Sequence, residues 1–306
     1  MAIQATSSAA LAASRPGLVR ASLGALLLAA AWTVSWSDWE PFRFHTFFPL
    51  WLGYILLVDG LTAARFGTSL RERGGLAFAG LFLVSAPAWW LFELLNIRLA
   101  NWVYILPHDY GWLSYHAQAT IAFSTVIPAV FCTAELVRAT LLRGPLIWLP
   151  IAPSRRGLRA IVLTGAIALF LTQLFPTIFF PLVWLSLFFV FDPVARLIGR
   201  PSLAGQVAVG RWDTVVVLWL ATLWCGFLWE MWNSRALPKW TYELPAAEWL
   251  RIFEMPILGF GGYFPFGMEL YALYRLASAV LPPTLVADLH LDRDLSSDAA
   301  ETAPRS

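Results

Sequence analysis

Charge is scarce in this chain. Asp, Glu, Lys and Arg make up 13% of its 306 residues, while 59% are hydrophobic. So few charges cannot clothe a soluble globule of this size, and long apolar runs with few charges are membrane spans. Cysteine is nearly missing as well. Cys132 and Cys225 both sit in apolar runs, and no C-x-x-C occurs. Neither a structural disulfide nor a thiolate metal centre is expected, and both residues read as small buried hydrophobes. No H-x-x-x-H or E-x-x-H spacing offers metal ligands. No G-x-S-x-G, Walker loop or dinucleotide fingerprint appears, so no cofactor is expected. The net charge of +2 says little by itself, but the basic residues outside the cytoplasmic loops are too few for nucleic acid.

Tryptophan, by contrast, is abundant, with 17 copies. Membrane proteins place this amphipathic ring at headgroup level. Trp89, Trp90, Trp102, Trp112, Trp240 and Trp249 fall near one set of helix ends.

Two of those tryptophans belong to an internal repeat. Residues 89–107 read WWLFELLNIRLANWVYILP and residues 224–245 read WCGFLWEMWNSRALPKWTYELP. Both contain E-x-x-N-x-R followed by W-x-Y-x-x-P. Glu93, Asn96 and Arg98 fall on Glu230, Asn233 and Arg235, an offset of 137 residues (230 − 93). With one extra residue in the later copy, Trp102 and Tyr104 fall on Trp240 and Tyr242. Phe47-Phe48-Pro49 with Asp59 matches Phe179-Phe180-Pro181 with Asp192, and Glu135 matches Glu269. A fixed offset of this kind marks duplication.

The apolar runs predict eight spans, at 18–36, 46–63, 76–96, 114–138, 158–175, 178–192, 212–233 and 252–277. The expected fold is all-α, a polytopic membrane bundle of two parallel four-helix repeats. A tail occupies 1–15, the repeats 16–142 and 158–281, a proline-containing linker 143–157, and a disordered acidic tail 282–306. The first run resembles a signal peptide, but its match in the second copy at about 158–175 argues for a retained helix. The sixth run is short and begins near Pro176 and Pro181, which predicts a bend. Of the 21 Lys and Arg, all but Arg43, Arg98, Arg235, Lys239 and Arg251 fall on one side. That asymmetry puts both termini in the cytoplasm, with the protein in a bacterial inner membrane. The E-x-x-N-x-R and W-x-Y loops then meet on the external side.

An ionisable group inside a membrane is costly and draws attention as a functional candidate. Asp59, Asp192, Glu135 and Glu269 lie near cytoplasmic helix ends, each with an arginine close in sequence: Arg65, Arg196, Arg138 and Arg275. They read as structural ion pairs. Glu93 and Glu230 are different, since they end the third and seventh spans. Each shares a helix face with Asn96 or Asn233. A carboxylate there opposes the helix dipole and needs a partner such as Arg98 or Arg235, or a raised pKa, and it reads either as a structural cap on the loop or as a site. Glu254, which has no duplicate, opens the eighth span and should approach Glu230. Two close carboxyls in a low dielectric do not ionise together. His116 would partner Glu93 in the first half. Asn233 and Tyr242 would orient the acid.

Lys239-Trp240-Thr241-Tyr242, Glu254 to Phe260 (EMPILGF), Pro265 and Glu269 together resemble the integral-membrane lycopene cyclase domain. That family has small helical repeats with a W-x-Y segment, an I/L-G stretch and a P-x-E-E signature. The match covers about 40 residues. It lacks the doubled Glu: Pro265-Phe266-Gly267-Met268-Glu269 carries one. The resemblance implies protonation of an isoprenoid alkene and quenching of the carbocation, without cofactor or redox change.

Three functions follow as expectations. The first is a proton-initiated cyclase or isomerase of an isoprenoid or carotenoid-like lipid, with Glu230 or Glu254 as acid. The second is a proton-coupled carrier, and the third a non-catalytic membrane scaffold.

Overall fold

The computed structural model describes residues 2–244 and 250–292, with side chains from Arg15 onward. Nine principal helices follow in order among the described residues. They are α1 (Ala2–Ser35), α2 (Phe47–Phe66), α3 (Gly75–Leu99), α4 (Trp112–Phe123), α5 (Val126–Thr140), α6 (Arg155–Leu174), α7 (Val183–Leu197), α8 (Asp213–Asn233) and α9 (Tyr263–Ala277). Two strands, β1 (Trp102–Ile105) and β2 (Lys239–Tyr242), form an antiparallel ribbon. A smaller hairpin pairs β3 (Arg251–Ile252) with β4 (Met255–Pro256).

Seven helical segments among the described residues are long and apolar enough to cross a membrane. The chain is therefore a mostly helical, multi-pass membrane bundle. The eighth expected span is not a continuous helix. Residues 251–256 form the β3–β4 hairpin, Ile257–Gly262 a 3-10 turn, and only then does α9 begin. Pro256, Gly259, Gly261 and Gly262 withhold the hydrogen bonds and rigidity that an α-helix needs. The 15 residues of α9 reach about 22 Å at 1.5 Å per residue, short of the ~30 Å hydrocarbon layer. The sixth segment does break, as Pro176 and Pro181 suggest, at a 3-10 turn over Phe180–Leu182. The fourth breaks between α4 and α5 at Ser124 and Thr125.

Helix neighbours run α1–α2–α5–α8–α9–α7–α6, with α3 packed on α4, α5 and α9. The α1–α2 contact is the most extensive, and glycine makes it so. A Cβ at Gly24 would lie 2.4 Å from the Leu57 nitrogen, and one at Gly53 2.5 Å from the Leu28 nitrogen. The two backbones touch, as small residues allow where lipid supplies no hydrophobic drive for association.

The end of the bundle opposite the ribbon is laced with ions, but the pairs are not those expected from sequence neighbours. Asp59 pairs with Arg20 at 3.0 Å, Glu135 with Arg73 at 2.9 Å, and Arg138 with Asp213 at 3.2 Å. Asp192 keeps its expected neighbour Arg196 within electrostatic reach, but its hydrogen bonds come from the backbone N–H of Leu203 and Ala204 at 2.7 and 2.8 Å, capping the short helix Leu203–Val207. Glu269 sits buried beside the Leu187–Phe188 backbone. The neighbouring helix, one interaxial distance away, offers a better-aimed partner than the next turn of the same helix does.

Two terminal expectations also change. The helix of α1 begins at Ala2, so residues 2–15 are helical backbone rather than a separate tail. Residues 282–292 are packed, not disordered: Ala287, Leu289 and Leu291 are buried. Tyr274 accepts the Ala287 N–H at 2.6 Å, Glu135 accepts the His290 N–H at 2.7 Å, and the Thr214 hydroxyl donates to the Leu291 carbonyl. Residues 293–306, Pro245 and Trp249 lie outside the described residues. The linker is extended and bridges the second half through Ile147 and Arg211, leaving Ile147, Trp148 and Leu149 exposed.

Candidate functional site

The ribbon puts the two W-x-Y segments face to face. Trp102 pairs with Tyr242, Val103 with Thr241 and Tyr104 with Trp240. An asparagine fastens each strand to its helix. Asn96 Nδ2 donates to the Trp102 carbonyl at 2.8 Å, and its Oδ1 accepts the Asn101 N–H at 2.9 Å. Asn233 Nδ2 donates to the Trp240 carbonyl at 2.7 Å, and its Oδ1 accepts the Trp240 N–H at 2.9 Å. Asn96 and Asn233 therefore position the strands.

Fastened in this way, the strands swing their aromatic side chains onto the carboxyls behind them. Glu93 Oε1 accepts from Trp89 Nε1 (2.9 Å), Trp102 Nε1 (3.1 Å) and the Tyr104 hydroxyl (2.6 Å). Glu230 Oε1 accepts the hydroxyls of Tyr242 (2.6 Å) and Tyr263 (2.7 Å), and Trp240 Nε1 donates to the Tyr242 oxygen at 2.8 Å. Glu230 is fully buried, and its Oε2 has no hydrogen-bond partner among the described residues. Burial and the adjacent Glu93 push the Tyr104 phenol well above its usual range; burial and Glu230 do the same for Tyr242. A phenol facing an acid in a dry site holds its proton.

The expected arginine partners are elsewhere. Arg98 donates to the Gln173 carbonyl, and Arg235 lies over the Trp36 ring. Aromatic donors serve instead because they bring both hydrogen bonds and apolar bulk to a buried carboxyl, where a guanidinium would need desolvating. Glu254 pairs with Lys239 at 2.5 Å, which anchors it to the ribbon; it lies within electrostatic reach of Glu230, as expected, but makes no hydrogen bond to it. His116 binds the Trp112 carbonyl through Nδ1 at 2.8 Å and stacks on Trp90, 5.2 Å between centroids, so Glu93 takes its donors from Trp89, Trp102 and Tyr104 and not from His116.

Above the carboxyls lies a cavity of about 400 Å³. Tyr104, Tyr242 and Tyr263 line it together with Trp89, Trp102, Trp184, Trp229, Trp240, Phe123 and Phe266. Trp89, Phe92 and Trp184 pack edge-on to Phe266 at 5.8, 5.5 and 5.7 Å. This volume is in the range of small-molecule sites, roughly 300–1,000 Å³. Tyr263 lies outside the matched E-x-x-N-x-R and W-x-Y segments. Its only sequence signal is its place directly after the glycines that break the eighth segment. Among the described residues no group of three His, Cys, Asp or Glu could hold a metal.

No protein-family model matches the chain, and no curated protein or solved structure matches it. The site is therefore interpreted from its own geometry.

Proposed function

We propose that this chain is an inner-membrane enzyme that isomerises or cyclises an isoprenoid or carotenoid-like lipid by proton transfer, without a cofactor. It consists of two four-helix units, 16–142 and 158–281, related by an axis along the membrane normal. The eighth segment completes the second unit as a hairpin, 3-10 turn and short helix. The ribbon centred on Val103 and Thr241 and the matched Asn and Glu networks support the relation. The basic asymmetry supports cytoplasmic termini and an external ribbon.

One observation carries the chemical reading. Phenols that line an aromatic cavity hand their hydrogen bonds to buried carboxyls behind them. Glu230 in its protonated form is the acid: its proton reaches an alkene bound in the cavity through the Tyr263 or Tyr242 hydroxyl, which gives one proton and takes one from Glu230 in a single concerted step, so that no phenolate forms. The new carbocation faces Trp and Phe rings, whose negative faces stabilise it. Loss of a neighbouring C–H proton to the Tyr104–Glu93 pair restores an alkene. One proton enters and one leaves, so substrate and product have equal mass. Three donors converge on Glu93 Oε1, which suits it to be the acceptor. The enzyme resets when that proton returns through solvent to Glu230.

Lipid extracts from cells carrying the wild type and Glu230→Gln test this. The variant should accumulate a lipid of the same mass as the product but different chromatographic retention. Indistinguishable extracts from wild type, Glu230→Gln and a deletion strain would overturn the reading.

A further inference from the structure

The cavity has a polar rim distinct from its aromatic depth. His45, Tyr110, Tyr115 and Gln118 from the first half and Lys239 from the second line it. We propose that this rim binds the head of the lipid, and that the head is an uncharged hydrogen-bonding group, an alcohol or a carbonyl, rather than a diphosphate. The proposal rests on the isoprenoid reading above and specifies its substrate class.

Charge is the first argument. Among the described residues that line the cavity, Lys239 is the only lysine or arginine, and Glu254 already neutralises it at 2.5 Å. A diphosphate would have to displace Glu254 and would still carry unmatched charge in a cavity walled by apolar rings. Diphosphates are otherwise held through divalent ions by grouped carboxylates, and the described residues contain no such group.

The hydrogen-bond inventory is the second argument. The Tyr110 hydroxyl is buried and has no partner among the described residues. A native structure rarely leaves such a group unsatisfied without a ligand or water to meet it. Lining the same cavity, His45 Nδ1 and Gln118 Oε1 are 3.1 Å apart, and Gln118 Nε2 donates to Ser114 at 2.9 Å. The Tyr110 hydroxyl, the Gln118 amide and the His45 ring carry donors and acceptors that can serve a hydroxyl or carbonyl on both counts.

The experiment uses the full-length protein in phosphatidylcholine nanodiscs, titrated with geranylgeraniol and with geranylgeranyl diphosphate. Quenching of the tryptophans that line the cavity reports binding. The alcohol should bind at least about tenfold tighter than the diphosphate, with no salt dependence. Gln118→Leu and Tyr110→Phe should each weaken the alcohol severalfold and leave the diphosphate unchanged. If one variant does not fold, the other decides. Equal or tighter diphosphate binding, or alcohol binding indifferent to both variants, overturns the head assignment alone and leaves the isoprenoid reading standing. Binding of neither ligand overturns both.

Discussion

Gly226 and Tyr263 are in direct contact. A Cβ at Gly226 would stand 2.5 Å from two ring carbons of Tyr263, closer than any side chain tolerates. Gly226 is one turn before Glu230 on α8. Its missing side chain admits the Tyr263 ring, and the hydroxyl then reaches Glu230 at 2.7 Å. A residue with no polar atom on its side chain thus sets the geometry of the proposed proton donor.

Tyr263→Phe keeps the ring and removes the relay. Turnover should fall by about 10²–10⁴, the usual worth of a positioned acid, with folding retained. Gly226→Ala should lose activity in the same direction by displacing the ring. Full turnover in Tyr263→Phe, measured by product per protein in lipid extracts, would eliminate Tyr263 as the donor and leave Tyr242.

The raised phenols predict an alkaline titration. Tyr242 should remain protonated at pH about 10, where a free tyrosine is half ionised. Its folded pKa lies above its unfolded one, so its contribution to stability is complete below pH about 10 and is lost as pH climbs through the folded value. The ultraviolet difference spectrum of wild type minus Tyr242→Phe should show no phenolate signal near pH 10. A full phenolate signal there would mean that Tyr242 is wet.

Asp213 and Arg138 are both fully buried, 3.2 Å apart, with Arg211 a further 2.8 Å partner of Asp213. Asp213→Asn strands a buried guanidinium, which typically costs about 3–5 kcal/mol. Thermal unfolding in detergent should show a clear drop. A melting temperature equal to wild type would mean that water reaches the pair.

Gly53→Leu drives a side chain into the α1 backbone at Leu28. Overpacking of this sort costs about 1–3 kcal/mol or more. The variant should melt earlier and yield less folded protein, whereas Gly67→Ala should cost less, since nothing lies within 4 Å of a Cβ there and only its positive φ of 74° resists. Equal loss in both would point to backbone strain rather than helix contact.

Reporter fusions at the C-terminus and in the ribbon connection at Leu106 should give opposite signals across the membrane. Equal signals would reject the proposed orientation.

The sequence by itself determined the membrane class, because 59% hydrophobic residues and 13% charged ones leave no other solvent for the chain. It also marked Glu93, Asn96, Glu230, Asn233 and Tyr242, since the same E-x-x-N-x-R and W-x-Y letters occur in two segments. Periodicity located most helices, but it took the run after Arg251 for a span, because hydropathy does not register that glycine and proline deny a helix its hydrogen bonds. Partner choice was decided only by the tertiary structure. Arg20, Arg73 and Asp213 lie far in sequence from Asp59, Glu135 and Arg138, and only helix packing brings them within 3.2 Å. The same holds at the site. Which of Arg235, Glu254, Tyr242 and Tyr263 reaches Glu230 depends on the ribbon register and on the space Gly226 leaves. Those are distances between elements, set by side-chain volume and hydrogen-bond direction, and no spacing along one chain segment encodes them.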